Sequence, residues 1–199
     1  MKIYTRRGDD GTTGLLFGGR VAKDSPLPSA YGAVDEAQAA LGVARASAER
    51  DSELDRRLVD LEADLWVLMA ELATDPSNRA KLTPEKNLVT AGMVAALEER
   101  IDELSARFEP PTEFVVPGGS VTGAQLDVAR TVVRRAERDV LSALGALAER
   151  GTPVEGTEVV AYLNRLSDLL WTMARWQEGE SLTARSSRAA TPGEEGGTD

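Results

Sequence analysis

The sequence predicts an all-α protein, an up-and-down five-helix bundle with a Gly-rich N-terminal loop and a disordered C-terminal tail. Three observations predict it. Leu54, Leu58, Leu61, Leu65, Leu68 and Leu72 alternate spacings of four and three, which puts all six on one face of a helix. Leu126, Ala129, Val133, Ala136, Val140, Leu144 and Leu147 draw a second such stripe over a longer run. The breaks between apolar runs are short and rich in Gly and Pro, and no stretch alternates convincingly as a strand would. Long amphipathic helices joined by short connections pack antiparallel as bundles.

The elements follow in order. Pro28 to about Ala48 forms the first helix, with Tyr31, Val34, Ala37, Leu41 and Ala44 at helical spacing and Pro28 suited to a first turn. The leucine run is the second, ending near Asp75-Pro76. Ser77 to Val89 is polar and contains a proline, so it reads as a loop. Ala91 to Phe108, with Val94, Leu97, Ile101 and Leu104, is the third helix and stops before Pro110-Pro111. An extended stretch, Phe114-Val115-Val116-Pro117-Gly118-Gly119-Ser120, leads into the fourth helix, Gly123 to about Arg150. Gly151-Thr152-Pro153 breaks it, and Glu158 to about Gln177 is the fifth. The bundle domain spans 1–178, with 1–27 as its N-terminal segment. Residues 179–199 have almost nothing to bury and read as a disordered tail.

Composition removes whole classes of chemistry. The chain of 199 residues has no Cys and no His, which excludes disulfides, Cys/His zinc sites, imidazole bases and Ser-His-Asp triads. No apolar run approaches the roughly 20 residues that span a bilayer, and no signal-peptide h-region opens the sequence, so a cytoplasmic protein without membrane contact is expected. A net charge of −10 argues against nucleic-acid binding. The cations are nevertheless clustered. Lys2, Arg6, Arg7, Arg20 and Lys23 face only Asp9 and Asp10 in the N-terminal segment, and Arg130, Arg134, Arg135 and Arg138 face Glu137 alone. Two cationic islands on an acidic chain suit a compact polyanion.

The N-terminal island lies in Tyr4-Thr5-Arg6-Arg7-Gly8-Asp9-Asp10-Gly11-Thr12-Thr13-Gly14, a stretch too polar to build core. Glycines let backbone N–H groups converge on an anion, and hydroxyls and cations add donors. A solvated arm is the other reading of the same residues. On the fourth helix, Arg130, Arg134 and Glu137 fall within about 60° of one another along the edge of the apolar stripe, while Arg135 points away. A partly buried Arg needs a carboxylate or a bound anion, and its planar fork matches phosphate; an ordinary charged face with Arg–Glu pairs is the alternative. On the fifth helix Asn164, Asp168, Trp171 and Arg175 make one polar-aromatic stripe, suited to a ligand wall, a subunit interface or an interhelical hydrogen-bond pair.

Taken together, Thr5-Arg6-Arg7-Gly8-Asp9-Asp10-Gly11-Thr12-Thr13, Lys23-Asp24, Ala30 to Glu36, Phe114 to Gly119, Ala129-Arg130-Thr131 through Arg138, and Asn164-Arg165-Leu166-Ser167-Asp168 occur in the order seen in the PduO-type corrinoid adenosyltransferases. The sequence resembles that family from its N-terminus to about residue 177. The resemblance implies a homotrimer of five-helix bundles, with active sites between subunits, that moves the adenosyl group of ATP onto cob(I)alamin. It implies an ATP-binding role for Thr5, Arg6, Arg7, Gly8, Thr13 and Gly14, a phosphate-binding role for Lys23, and a triphosphate grip by Arg134, Arg135, Ala136, Glu137 and Arg138. Asn164 matches a nucleotide-binding asparagine, and Asp35 with Arg130 an ion pair across the subunit interface. Phe114 matches the aromatic residue that displaces cobalt's lower ligand, and Trp171 stands in the corrinoid pocket. Mg²⁺ is expected on the ATP phosphates with Glu137 as a ligand. A corrin reductase and an adenosylcobalamin-dependent mutase are the partners this chemistry suggests.

The sequence departs from the family at three positions: Arg7 stands where Thr is common, Gln38 where Asn is common, and Trp171 where Phe is usual. The chemistry itself explains why His and Cys are dispensable. Reduced cobalt is the nucleophile and triphosphate the leaving group, so the protein orients two reactants and neutralises charge. An ATP-binding sensor bundle without turnover is the alternative function, and a purely structural bundle a third. A P-loop is disfavoured because Gly8 to Thr13 lacks the GxxxxGK spacing, and a di-iron centre because Glu-x-x-His needs His.

Overall fold

The computed structural model describes residues 3–4, 6–179 and 181–184. Five α-helices make the bundle: α1 Pro26–Ala46, α2 Glu53–Leu72, α3 Ala91–Ser105, α4 Val121–Glu149 and α5 Val159–Glu178. Helix α1 packs on α2 and α4, α4 on α5, and α5 on α3. The expected helices are all present, with ends displaced by a few residues because caps rather than apolar periodicity set them. Ser52, Thr90 and Ser120 each accept the backbone N–H three residues on, closing the first turns of α2, α3 and α4. Helix α3 ends at Ser105 rather than Phe108, well before the two prolines.

The core is the predicted stripes meeting. Leu58, Leu61, Leu65 and Leu68 of α2, Val34 and Leu41 of α1, Leu126, Val133 and Val140 of α4, and Leu163, Leu166 and Leu170 of α5 are fully buried. Each such side chain contributes roughly 1.5–3 kcal/mol of burial.

Two features were not expected. The N-terminal segment contains a small antiparallel hairpin, β1 Thr12–Gly14 with β2 Arg20–Ala22, pairing Thr12 with Ala22 and Gly14 with Arg20. Three-residue strands are too short to show alternation, and Gly18 and Gly19, both at positive φ, make the turn. Leu15 is buried and the Leu16 N–H bonds to the Ala73 carbonyl at 2.7 Å, fastening the hairpin to the end of α2. Within the expected Ser77–Val89 loop, Pro76–Lys81 winds as a 3₁₀ helix, capped by the Asp75 carboxylate. The buried Glu71 holds this region. It accepts from Arg79, the Val89 N–H and the Thr157 hydroxyl, at 2.7 to 2.9 Å.

Most of the expected disordered tail, residues 180 and 185–199, lies outside the described residues. The described part pairs with the stretch before α4. The Val116 N–H bonds to the Leu182 carbonyl at 2.8 Å, and the Ala184 N–H to the Phe114 carbonyl at 2.9 Å.

Candidate functional site

The residues singled out in the sequence fall into three groups. Thr5 lies outside the described residues. Arg6, Arg7, Gly8, Thr13, Gly14 and Lys23 stand on or beside the hairpin. Its frame is held by Arg20, whose guanidinium donates to the Arg7 carbonyl at 2.6 Å and, through Nε, to the Thr12 hydroxyl at 3.0 Å. Asp10 accepts from the Thr12 N–H and hydroxyl, and those hydrogen bonds lower its carboxyl pKa. Arg20 therefore builds the loop. Lys23 is exposed and its ammonium lies against Gly8, where an added Cβ would meet Nζ at 3.0 Å.

The second group is the α4 row with Asn164 of α5. Arg130 and Glu137 are half-buried, as the spacing predicts, but Arg134 and Arg138 are exposed. The stripe edge at Arg134 is not covered by a neighbouring helix. Arg138 donates to the Arg134 carbonyl at 3.0 Å, and Arg135, on the other face as expected, pairs with Glu36 of α1. Asn164 Nδ2 donates to Glu137 Oε1 at 3.1 Å, while Ala136 is buried beneath the row. Among the described residues no cluster of three or more carboxylates could hold a metal by itself. One carboxylate beside an asparagine suits a Mg²⁺ that keeps waters and phosphate oxygens as its other ligands.

The third group lines a cavity of about 480 Å³ at the junction of the 111–117 stretch, α4 and α5. Phe114, 91% exposed, and Trp171 are apolar walls; Asp127, Arg130 and Arg175 are the polar ones. Sequence reasoning missed Asp127 and Glu178, and left Arg175 open between a ligand wall, a subunit interface and an interhelical hydrogen-bond pair. Arg175, 2% exposed at the back of the cavity, makes the interhelical pair. Its Nη2 donates to Asp127 Oδ2 at 2.6 Å and reaches Glu178 Oε2 at 2.9 Å, with its guanidinium 5.9 Å from the Trp171 ring centre. Arg130 Nε donates to the other Asp127 oxygen at 3.1 Å. A signal existed: Asp127 interrupts an apolar helix start, and Glu178 follows Arg175 by three residues.

The groups are separated along the bundle. Ser47, which caps the C-terminus of α1, accepts from the Thr122 hydroxyl and donates to Gln125, and Glu36 meets Arg135, so α1 and α4 run antiparallel in register. Lys23, ahead of α1, is level with the C-terminal end of α4, whereas the Phe114 cavity lies beside its first turns. At about 1.5 Å per residue the two ends of α4 are about 40 Å apart. Asp35 is exposed on α1, in a groove lined by Gln38, Val59, Glu62 and Trp66. Within one chain Arg130 pairs with Asp127 rather than with Asp35.

Comparison with known proteins places this geometry. Residues 3–177 match the family model of the cobalamin adenosyltransferases. The corrinoid adenosyltransferase of Citrobacter freundii is 44% identical over 177 residues, which cover 89% of this chain and 95% of that protein. Corrinoid adenosyltransferase PduO of Salmonella typhimurium is 38% identical over 185 residues, 92% of this chain but 52% of that protein, so the chain spans about half of that relative. A variant PduO-type ATP:corrinoid adenosyltransferase from Lactobacillus reuteri, complexed with cobalamin and ATP, superposes with a TM-score of 0.79 at 28% identity, over 92% of this chain and 97% of that one.

Proposed function

The chain belongs to the cobalamin adenosyltransferase family, and we propose from that membership that it transfers the 5′-deoxyadenosyl group of ATP to the cobalt of cob(I)alamin, giving adenosylcobalamin and triphosphate. The observation that carries the reading is the cavity in which Phe114 and Trp171 face the Arg130 end of the α4 arginine row. It sets an apolar wall for a corrin beside cations for a polyphosphate.

The cobalt electron pair attacks the 5′ carbon, the Co–C bond forms, and the C–O bond to triphosphate breaks with its electrons going to the leaving oxygen. No proton moves at the reacting centre, so the protein needs no base. Arg134, Arg138 and Lys23 neutralise the leaving triphosphate, and Asn164 with Arg6, Arg7, Gly8, Thr13 and Gly14 fixes the nucleotide. Glu137, with Asn164 beside it, would hold a Mg²⁺ carried on the phosphates, which would supply further neutralisation of the leaving charge. Phe114 and Trp171 keep water and the lower axial base from cobalt, which eases reduction to the cob(I) state. Trp171, larger than the usual Phe, narrows the corrin side of the pocket.

The active form is a homotrimer with sites between subunits. Two features support it: the hairpin and the Phe114 cavity lie at opposite halves of one bundle, and large apolar side chains stand exposed on α1, α2 and α4. Trp66 is 67% exposed with Val59 in the same groove, Val43 is exposed on α1, and Val121 and Val128 line the outer face of α4. Docking one face on the other brings Asp35 of one copy to Arg130 of the next. Among the described residues no helix is long and apolar enough to cross a membrane; the cytoplasm is the proposed compartment, with a corrin reductase upstream and an adenosylcobalamin-dependent mutase downstream.

The test is the nucleotide product. With chemically reduced cob(I)alamin, ATP should yield triphosphate in a one-to-one ratio with adenosylated corrinoid. ATP binding without corrinoid-dependent triphosphate would favour the sensor reading.

A further inference from the structure

Three buried charged side chains, Glu178, Arg175 and Asp127, form a chain that the transfer chemistry does not use directly and that ends on the half-buried Arg130. Glu178, at the last turn of α5, has its side chain 1% exposed although the residue ends a helix. One oxygen accepts the Gly119 N–H at 3.1 Å, and the other meets Arg175 Nη2 at 2.9 Å. Arg175 passes the link to Asp127, and Asp127 to Arg130. Buried charges need this degree of pairing to be tolerated, and two guanidiniums against two carboxylates make the chain neutral. The approach of Glu178 to α4 is possible only because two positions lack side chains. An added Cβ would meet the Glu178 carboxylate group at 3.1 Å from Gly119 and at 2.7 Å from Gly123.

We propose that Glu178 is a positioning residue: through Gly119 it fixes the stretch that carries Phe114, and through Arg175 and Asp127 it keeps that stretch in register with Arg130. The inference rests on the transferase reading above. Glu178 is not itself a wall of the cavity. It also sits just ahead of Leu182–Ala184, which pair with Phe114–Val116, so both strands beside the cavity start from one anchored point. Losing the anchor misplaces the lower-face aromatic while leaving Arg134, Arg138, Lys23 and Asn164 untouched.

Two variants test this. Glu178→Gln keeps the acceptor for Gly119 but removes the charge opposite Arg175. Gly123→Ala retains every charge and a better helix former, yet its methyl displaces the Glu178 side chain. With folding checked by circular dichroism and ATP binding by calorimetry, both should bind ATP within about twofold of wild type and need about tenfold more cob(I)alamin for half-maximal rate. Both should also lose most of the electron-paramagnetic-resonance signal of cob(II)alamin lacking its lower ligand in the ATP complex. An active wild type whose folded variants keep its corrinoid KM and its cob(II)alamin spectrum would overturn the positioning role. A wild type that makes no adenosylated corrinoid overturns the transferase reading and the inference with it. Should Glu178→Gln fail to fold, Gly123→Ala decides.

Discussion

Arg134 makes no side-chain hydrogen bond or ion pair among the described residues, in a protein where most arginines do, and a guanidinium held ready in this way suits an incoming phosphate. Arg134→Ala should reduce transfer by on the order of 10²-fold, as loss of one transition-state cation does. Its melting should hold within about 0.5 kcal/mol because an exposed side chain is removed. Phe114→Ala should lose rate chiefly when cob(II)alamin is reduced in the assay, and an equal loss with pre-reduced cob(I)alamin would contradict the axial-ligand role. At the far side of the core, Tyr162 donates to Asp64 at 2.7 Å, and burial lifts the phenol pKa well above its usual value. The folded protein thus holds a proton that the unfolded chain loses above about pH 10. The stability Tyr162 contributes is complete below that pH and falls as pH rises through its folded pKa, so Tyr162→Phe should flatten the alkaline decline in melting temperature. That Phe114 and Trp171 share one cavity was expected only from the family resemblance. Arg175 was legible as part of the α5 polar stripe, but its partners were not: Asp127 lies 48 residues away in sequence and shows locally only as a polar break in an apolar helix start, and Glu178, three residues on, sits where the polar tail begins.

Among the elements, the five helices were legible because their stripes repeat over four or more turns, long enough for the 3.6-residue period to be unambiguous. The hairpin and the 3₁₀ turn were not, for each is shorter than its own diagnostic period. Their stability comes from side-chain anchors instead of pattern. Glu71 is the clearest: three donors from three segments converge on one buried carboxylate. Glu71→Ala should cost about 3 kcal/mol by stranding Arg79 and the Val89 N–H. Urea unfolding would measure it, and hydrogen exchange should rise first across residues 76–89 and at Thr157. A loss under 1 kcal/mol would show the segment to be held by packing alone.

For the whole molecule, composition only excluded chemistries and the family resemblance supplied the reaction: a chain with neither His nor Cys can run this transfer because the nucleophile and leaving group arrive with the substrates. The trimer was an expectation drawn only from the family resemblance, since exposed apolar residues on helices look the same in sequence whether they meet solvent or another copy. Light scattering should give three times the 21.3 kDa chain mass. Trp66→Glu should yield monomers that lose transfer while keeping their helical content, because a buried charge at a subunit contact is not tolerated. Monomeric wild type with full activity would remove the shared site. The most direct measurement is anaerobic: wild-type protein, ATP, Mg²⁺ and chemically reduced cob(I)alamin, with the corrinoid absorbance followed over time. ATP-dependent conversion to a light-sensitive alkyl-cobalt species is the predicted result, and an unchanged cob(I)alamin spectrum with folded, ATP-bound protein would contradict it.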